Sequence, residues 1–159
     1  MNASAATGRR RSPTADELAI WRDFVETTAQ LRSVIEGRMQ SDSALSAGDY
    51  AVLLALTEAS AHRMRSSELA AHIDWERSRL SHHLGRMEKR GLITREDCAT
   101  DNRGAEIVLA PEGAAAFRRA SPSHLHDIQQ LFVDALTPDQ LEAVSEITHA
   151  IRVHLSAPE

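Results

Sequence analysis

The chain has 159 residues, a formal net charge of −5 and one cysteine, Cys98. This length suits a single domain that buries a core, and one cysteine excludes an internal disulfide framework. No apolar run reaches the roughly 20 residues that span a bilayer, and the first residues lack the apolar core of a signal peptide. We therefore expect a cytoplasmic protein without a membrane partner.

The charges are distributed unevenly along the chain. Residues 62–95 contain eight Lys and Arg against four Asp and Glu, whereas residues 120–159 contain only Arg152 against six acidic residues. A basic segment in an otherwise acidic protein focuses phosphate binding on one face. The pattern predicts a nucleic-acid contact in the middle of the chain, and its modest charge suggests that two copies act together.

Two helices are predicted before this basic segment. Residues 1–13 form a polar, basic tail that we expect to be disordered, and Thr14 and Glu17 then form a capping box that opens a long helix. Ser46 begins a second helix over residues 47–59. Mostly apolar side chains at helical spacing predict an apolar stripe on the first helix and a buried face on the second: Leu18, Trp21, Val25, Thr28, Leu31 and Ile35 on the first, and Val52, Leu53 and Leu56 on the second.

A helix-turn-helix is predicted next. Residues 65–73 supply a short helix, with Ser66 or Ser67 as its cap. Residues 74–76 then form a tight connection to a second helix over residues 77–90.

The predicted helix at residues 77–90 has two contrasting faces and is stopped by Gly91. Leu80, Leu84 and Met87 recur at i, i+4 and i+7 and form a narrow core-facing stripe. The opposite side carries polar, basic or small residues, namely Ser78, Arg79, Ser81, His82, Gly85, Arg86 and Lys89. A merely solvated helix would usually alternate Glu and Lys on its exposed face. We therefore interpret this segment as a DNA-recognition helix, with a solvated face as the alternative.

A basic β-hairpin is predicted directly after this helix. Residues 92–95 and 105–109 are rich in β-branched side chains, as strands are. Residues 98–104 between them have the composition of a turn, and the hairpin carries Arg95 and Arg103. A recognition helix followed by a basic hairpin is typical of a winged helix-turn-helix, in which the turn is the wing.

Several short motifs run through the helix-turn-helix and the hairpin. They are Glu68-Leu69-Ala70, Arg77-Ser78, Leu84-Gly85-Arg86-Met87-Glu88-Lys89-Arg90-Gly91, Asp101-Asn102-Arg103 and Pro111-Glu112-Gly113. Together they resemble the MarR family of bacterial transcriptional regulators. The chain departs from the family pattern at His82, His83 and Gly85, so base preference is not carried over. Ala110 stands where the family usually has a Ser or Thr helix cap, an exchange that costs about 1 kcal/mol.

Two further helices are predicted after the hairpin. One runs from Pro111 to about Leu136 with a bend near Pro122, and a capping box of Thr137 and Gln140 opens the last. The last helix carries an apolar stripe of Leu141, Val144, Ile147, Ile151 and Leu155. Terminal helices of this length exceed what a winged helix-turn-helix needs for its core, which favours a second subunit over monomeric packing. The family resemblance implies the same, a two-fold dimer through the first, fifth and sixth helices.

The predicted fold is therefore mainly α, with six helices and a small β-hairpin wing, as an obligate dimer joined through its terminal helices. Residues 14–159 form one MarR-like domain after the tail at residues 1–13. Within it, residues 46–110 are the DNA-binding lobe, and residues 14–45 and 111–159 are the dimerisation helices.

The predicted function is sequence-specific binding of double-stranded DNA by a homodimeric transcriptional repressor with a palindromic operator. The candidate DNA contacts are Ser66, Arg77, Ser78, Arg79, Ser81, His82, Arg86, Lys89, Arg95, Asp101 and Arg103. Arg79 either reads a guanine or holds a phosphate. Arg103 enters the minor groove, and Asp101 orients it or pairs with a helix arginine. No cofactor, metal ligand or catalytic residue is predicted, because no phosphate loop or nucleophile motif is present.

The sequence gives few indications of how the protein is regulated. The family resemblance implies a small-molecule effector pocket, for which Trp21, Phe24, Tyr50 and Phe117 are candidate lining residues, and each also suits a core position. The sequence names no effector and is equally consistent with a regulator that has none.

Two sensing alternatives also arise from the sequence. The eight histidines suggest a metal- or pH-responsive sensor, although none are spaced as a zinc-ligand set. His82 and His83 are expected on or beside the reading face, where their protonation would alter DNA affinity. Cys98 is either a redox-sensitive thiol near Arg95 or an ordinary exposed thiol.

Overall fold

The computed structural model describes residues 11–97 and 105–157, which form six α-helices and three strands. The elements are α1 (Ala15–Ser43), α2 (Ala47–Glu58), β1 (Arg63–Arg65), α3 (Ser66–His72), α4 (Arg77–Lys89), β2 (Ile93–Asp97), β3 (Ala105–Leu109), α5 (Pro111–Ile128) and α6 (Pro138–Ser156), with a 3₁₀ turn at Ser60–His62 and a π-helical turn at Gln129–Val133. The predicted mainly α fold with a small hairpin is confirmed. The chain divides into two compact units, residues 1–34 and 35–159.

The three strands form one antiparallel sheet in the order β1-β3-β2. In the predicted hairpin of β2 and β3, Ile93 lies opposite Leu109 and Arg95 opposite Ile107. β1 lies on the other side of β3, with Met64 opposite Ile107. The sequence did not predict β1, because three residues are too few to show the alternation that marks a strand and their partner is distant in the chain.

The core of the unit at residues 35–159 lies where α2, α4 and the sheet meet. The predicted inner faces of α2 and α4 are confirmed, since Val52, Leu53, Leu56, Leu80, Leu84 and Met87 are each at most 1% exposed. Ile93 of β2 and Ile107 of β3 belong to the same cluster. Burying a side chain of this size contributes roughly 1.5–3 kcal/mol, so the core fixes both α4 and the base of the hairpin.

Two capping boxes are confirmed at the starts of the terminal helices. The Thr14 N–H donates to Oε2 of Glu17 (2.7 Å), and the Glu17 N–H donates to Oγ1 of Thr14 (3.2 Å). The same reciprocal pair joins Thr137 and Gln140 at 2.8 and 3.3 Å. Each pair satisfies two amide donors that a helix start leaves free.

The start of α3 differs from the prediction. Its N-cap is Arg65 rather than Ser66 or Ser67, and Ser66 is the first helical residue. The Arg65 N–H donates to Oε2 of Glu68 at 3.4 Å. The helix begins early because β1 ends at Arg65, so strand and helix follow each other without an intervening residue.

α5 begins as predicted and ends differently. Ala110 precedes Pro111 without a side-chain cap, and the helix continues through Pro122 to Ile128. The π-helical turn then follows, in which the Asp134 N–H donates to the Gln129 oxygen at 2.9 Å. The bend near Pro122 stays a prediction, whereas the change in helical bonding lies further along the chain than the proline.

In the unit at residues 1–34, α1 exposes its apolar stripe. Trp21 is 63% exposed, and Leu18, Phe24 and Val25 also lie on the surface. The stripe predicted on α1 is thus on the surface at Leu18, Trp21 and Val25.

Candidate nucleic-acid interface

α4 turns its apolar face to the core and its polar face to solvent. The predicted DNA-contact residues on this helix are all exposed, namely Arg77, Ser78, Arg79, Ser81, His82, Arg86 and Lys89. The helix ends in a Schellman motif, as Gly91 predicts: Gly91 has a φ of 72°, its N–H donates to the Glu88 oxygen (2.9 Å), and the Leu92 N–H donates to the Met87 oxygen (3.0 Å). The reading face is thus held between a packed core and a defined helix end.

Arg95 fastens β2 to α4. Its Nη2 donates to the Ser81 oxygen (2.9 Å), its backbone N–H donates to Oε1 of Glu88 (3.2 Å), and its Nε lies 3.4 Å from Oε2 of Glu88. Gly85 faces the same guanidinium, because a Cβ there would lie 3.6 Å from Nη2 of Arg95. The Arg95 side chain is 31% exposed, and its contact with DNA stays a prediction.

His83 lies beneath the reading face, which corrects the expectation that it sits on or beside that face. It is 8% exposed. Its Nδ1 lies 3.0 Å from Nη2 of Arg86, and its Nε2 lies 3.1 Å from Oδ1 of Asp49, in a geometry that is poor for a hydrogen bond. The i+3 spacing from Leu80 could have indicated this inward orientation.

Asp49 of α2 is the acidic partner of this region, and the sequence analysis missed it. Its side chain is buried, and its Oδ2 accepts Nη1 of Arg90 (2.7 Å) and the Ser46 N–H (2.9 Å). Burial raises the pKa of Asp49, but the contacts with His83, Arg90 and the Ser46 amide outweigh this effect and hold the pKa well below the usual range. The signal available in the sequence was the spacing of Ser46 and Asp49, which is that of a capping box.

Arg79 stacks on Trp75, the residue that leads into α4. The Arg79 Cζ lies 4.0 Å from the centroid of the Trp75 ring, a cation–π contact. The Trp75 ring in turn meets the His83 ring edge to face, with centroids 5.2 Å apart and an interplanar angle of 85°. Stacking occupies the face of the guanidinium and leaves its N–H edge free to donate.

The tip of the wing lies outside the described residues, and with it Cys98, Asp101 and Arg103. In the outer part of the described hairpin, where Glu96 lies opposite Glu106, Nη1 of Arg63 lies 3.2 Å from Oε2 of Glu96 and donates to Oε2 of Glu106 at 3.0 Å. Ser66, the remaining predicted contact, is half-buried at the first turn of α3.

Two of the four candidate pocket residues pack together. Tyr50 and Phe117 lie 5.0 Å apart between ring centroids, and His124 lies 4.5 Å from Tyr50. Tyr50 is buried, as a core residue would be. Trp21 and Phe24 belong to the unit at residues 1–34, where both are exposed.

The histidines of residues 11–97 and 105–157 do not join Cys, Asp or Glu in any group of three or more that could hold a metal ion. His124 is part-buried near Asp127: burial lowers the pKa of His124, and the Asp127 charge opposes that shift. Asp127 itself accepts a hydrogen bond from Nη1 of Arg38 at 2.7 Å.

Across residues 11–97 and 105–157, every helix is too short or too polar to cross a bilayer.

Comparison with known proteins places this architecture among transcriptional regulators. The model of the MarR family matches residues 45–104. A MarR family transcriptional regulator from Streptomyces coelicolor, solved in complex with DNA, is 36% identical over 94% of this chain and 94% of that one, with a TM-score of 0.87. AbsC, a MarR family transcriptional regulator from the same organism, is 34% identical over 91% of this chain and 97% of that one, with a TM-score of 0.84.

A more distant relative agrees with this placement. The HTH-type transcriptional regulator PrsX of Escherichia coli is 26% identical over 106 residues, which are 67% of this chain and 63% of that one. The match therefore spans a little under two thirds of that relative's length. Because the Streptomyces regulators match nearly end to end with the same fold, this chain belongs to the MarR family of transcriptional regulators and is a DNA-binding regulator rather than an enzyme.

Proposed function

We propose that the protein is a transcriptional repressor that binds a palindromic operator in double-stranded DNA as a homodimer, with α4 of each subunit in a major groove. The observation that carries the proposal is the exposed polar and basic face of α4 above a fully buried apolar face. The Streptomyces relative solved in complex with DNA supports a duplex as the partner.

The positions along α4 suggest a division of roles. Arg77 and Lys89, at its two ends, are suited to phosphates, whereas Ser78, His82 and Arg86 are spaced one turn apart along its exposed side. Arg79 keeps its N–H edge available for a guanine or a phosphate while its face stacks on tryptophan. Phosphate contacts set the register of the helix, and base contacts supply the sequence preference.

The homodimer part of the proposal is supported by apolar surfaces on the terminal helices. On one face of α6, Ile147, Ile151 and Leu155 are exposed, and Leu155 is 77% exposed. A second copy would cover this face of α6 and the exposed apolar stripe of α1. A two-fold dimer then predicts half-sites about one helical turn apart, roughly 34–36 Å.

Release by a small-molecule effector is a further part of the proposal. Tyr50 and Phe117 already pack against each other, so an effector that bound between them would have to displace the two rings. Such a ligand would change operator affinity only through its differential affinity for the two arrangements.

The test begins with selection of bound duplexes from random-sequence DNA, followed by anisotropy titration of the enriched duplex. Arg86→Ala should weaken binding roughly tenfold, because one well-placed arginine contact contributes about 1–3 kcal/mol. Arg118→Ala removes an equally exposed charge from α5 and serves as the matched control. A chain that enriches no sequence and binds no duplex at low ionic strength would contradict the proposal.

A further inference from the structure

A pair of rings lies directly beneath two arginines of the reading face. We call Trp75 and His83 the platform. Arg79 stacks on Trp75 with its Cζ 4.0 Å from the ring centroid, and Nη2 of Arg86 lies 3.0 Å from Nδ1 of His83. The two rings meet edge to face with centroids 5.2 Å apart, so a continuous chain of contacts runs from one arginine to the other.

The start of α2 forms the seat of the platform. A Cβ at Gly48 would lie 2.6 Å from Cη2 of Trp75 and 3.0 Å from Cε1 of His83, so the absence of a side chain allows the close approach. Asp49, the next residue, places its Oδ1 3.1 Å from Nε2 of His83. Asp49 is itself held by Nη1 of Arg90 at 2.7 Å, which ties the seat to the end of α4.

We propose that the platform and its seat are positioning residues for DNA readout, and that the neutral form of His83 is required for it. The inference rests on the proposed DNA-binding function. Nδ1 can accept a hydrogen bond from Arg86 only when the ring proton is on Nε2, the nitrogen that faces Asp49. Protonation of Nδ1 removes this acceptor and sets one cation against another, so Arg86 leaves its position.

The charged groups around His83 determine the sign of the effect. Asp49 faces the ring from α2, and Arg86 faces it from the same helix. Arg90 pairs with Asp49, and Arg79 stacks on Trp75. Acidification adds a positive charge that strengthens non-specific attraction to phosphates, while it releases Arg86. The ratio of specific to non-specific affinity must therefore fall as the pH falls.

The experiment measures this ratio for the full-length protein with two probes, the enriched duplex and a scrambled duplex of the same composition. Between about pH 8 and pH 5, the range in which histidine changes charge, the ratio for the parent should fall roughly tenfold. His83→Asn keeps an acceptor for Arg86 that does not titrate, and its ratio should fall far less than that of the parent, the remainder coming from the exposed His82. His72→Gln, on the exposed side of α3, should keep the profile of the parent.

A second variant tests the seat without altering any titratable group. Gly48→Ala places a methyl group against both rings, and alanine is well tolerated in a helix. The folded variant should lose several-fold in affinity for the enriched duplex at pH 8 and keep its affinity for the scrambled one.

Three results would overturn the inference. The first is a ratio of specific to non-specific affinity that does not change with pH in the parent. The second is a ratio for His83→Asn that falls with pH as much as that of the parent. The third is a folded Gly48→Ala variant with the same ratio as the parent at pH 8. Absence of all duplex binding would instead defeat the proposed function, and this inference with it.

Discussion

Asp49 shows how a single side chain links two helices. Its carboxylate is buried and bonded to Arg90 of the α4 terminus and to the Ser46 amide, so Asp49→Asn should leave Arg90 without its charged partner. We expect the free energy of unfolding to fall by about 1–3 kcal/mol at pH 7. Urea unfolding of the two proteins measures this difference.

The pH dependence of this difference follows from the lowered pKa of Asp49. A carboxyl group whose pKa is lower in the folded than in the unfolded protein stabilises the folded state fully at pH values above its unfolded pKa, which is about 3.9 for aspartate. This stabilisation is lost as the pH falls through the pKa of the folded state. The difference between parent and Asp49→Asn should therefore narrow below about pH 4, where the aspartate of the unfolded chain becomes protonated. Asp42→Asn, which removes an exposed acceptor of the Ser123 hydroxyl, should cost no more than about 1 kcal/mol.

At the scale of elements, the start of α5 packs closely against Leu92, the residue that precedes β2. The Ala110 N–H donates to the Leu92 oxygen at 3.2 Å, and a Cβ at Gly113 would overlap that same carbonyl group. Gly113→Ala should therefore lower the free energy of unfolding by about 1–3 kcal/mol and shift the wing relative to α4. Thermal unfolding monitored by circular dichroism gives the size of the effect.

A helical glycine without neighbours provides the control for this substitution. Among the described residues, a Cβ at Gly37 of α1 would meet no atom within 4 Å beyond the backbone of its own helix. Gly37→Ala should thus be neutral or stabilise by about 0.5–1 kcal/mol, since alanine loses less conformational entropy in a helix. If Gly113→Ala and Gly37→Ala had equal melting temperatures, the close packing of Gly113 against Leu92 would be refuted.

At the scale of the whole molecule, a monomer would leave the apolar face of α6 in contact with water. Ile151→Glu places a charge in the middle of that face, and a buried unpaired charge is strongly unfavourable. We expect the variant to sediment as a monomer, or to bind DNA with far lower affinity, under conditions where the parent is a dimer. Analytical ultracentrifugation with DNA titration measures both properties.

The control for the dimer lies on the same helix. Glu142 is exposed and about opposite the apolar stripe at 3.6 residues per turn, so Glu142→Ala should keep the mass of the parent. A parent that remained a single subunit at micromolar concentration would exclude the dimer and the paired half-sites together.

Features that depend on a few neighbouring residues were accessible from the sequence. The inner stripe of α4, the glycine that ends it and the capping boxes of α1 and α6 follow from residues within one or two helical turns. The exposure of the side chains predicted to contact DNA on α4 follows from the same periodicity. The hairpin was predicted from strand composition on either side of turn residues, which is equally local.

Tertiary packing decided the features that join distant residues. The spacing from Leu80 turns His83 inward, and the approach of Gly48 and Asp49 from α2 supplies neighbours that no local pattern predicts. β1 exists because β3 offers it a free edge, and its presence moved the start of α3. The sequence alone thus determined the position of α4 and which side of it is exposed, since periodicity is local. The tertiary structure decided what lies behind Trp75 and His83, because Gly48 and Asp49 come from another part of the chain.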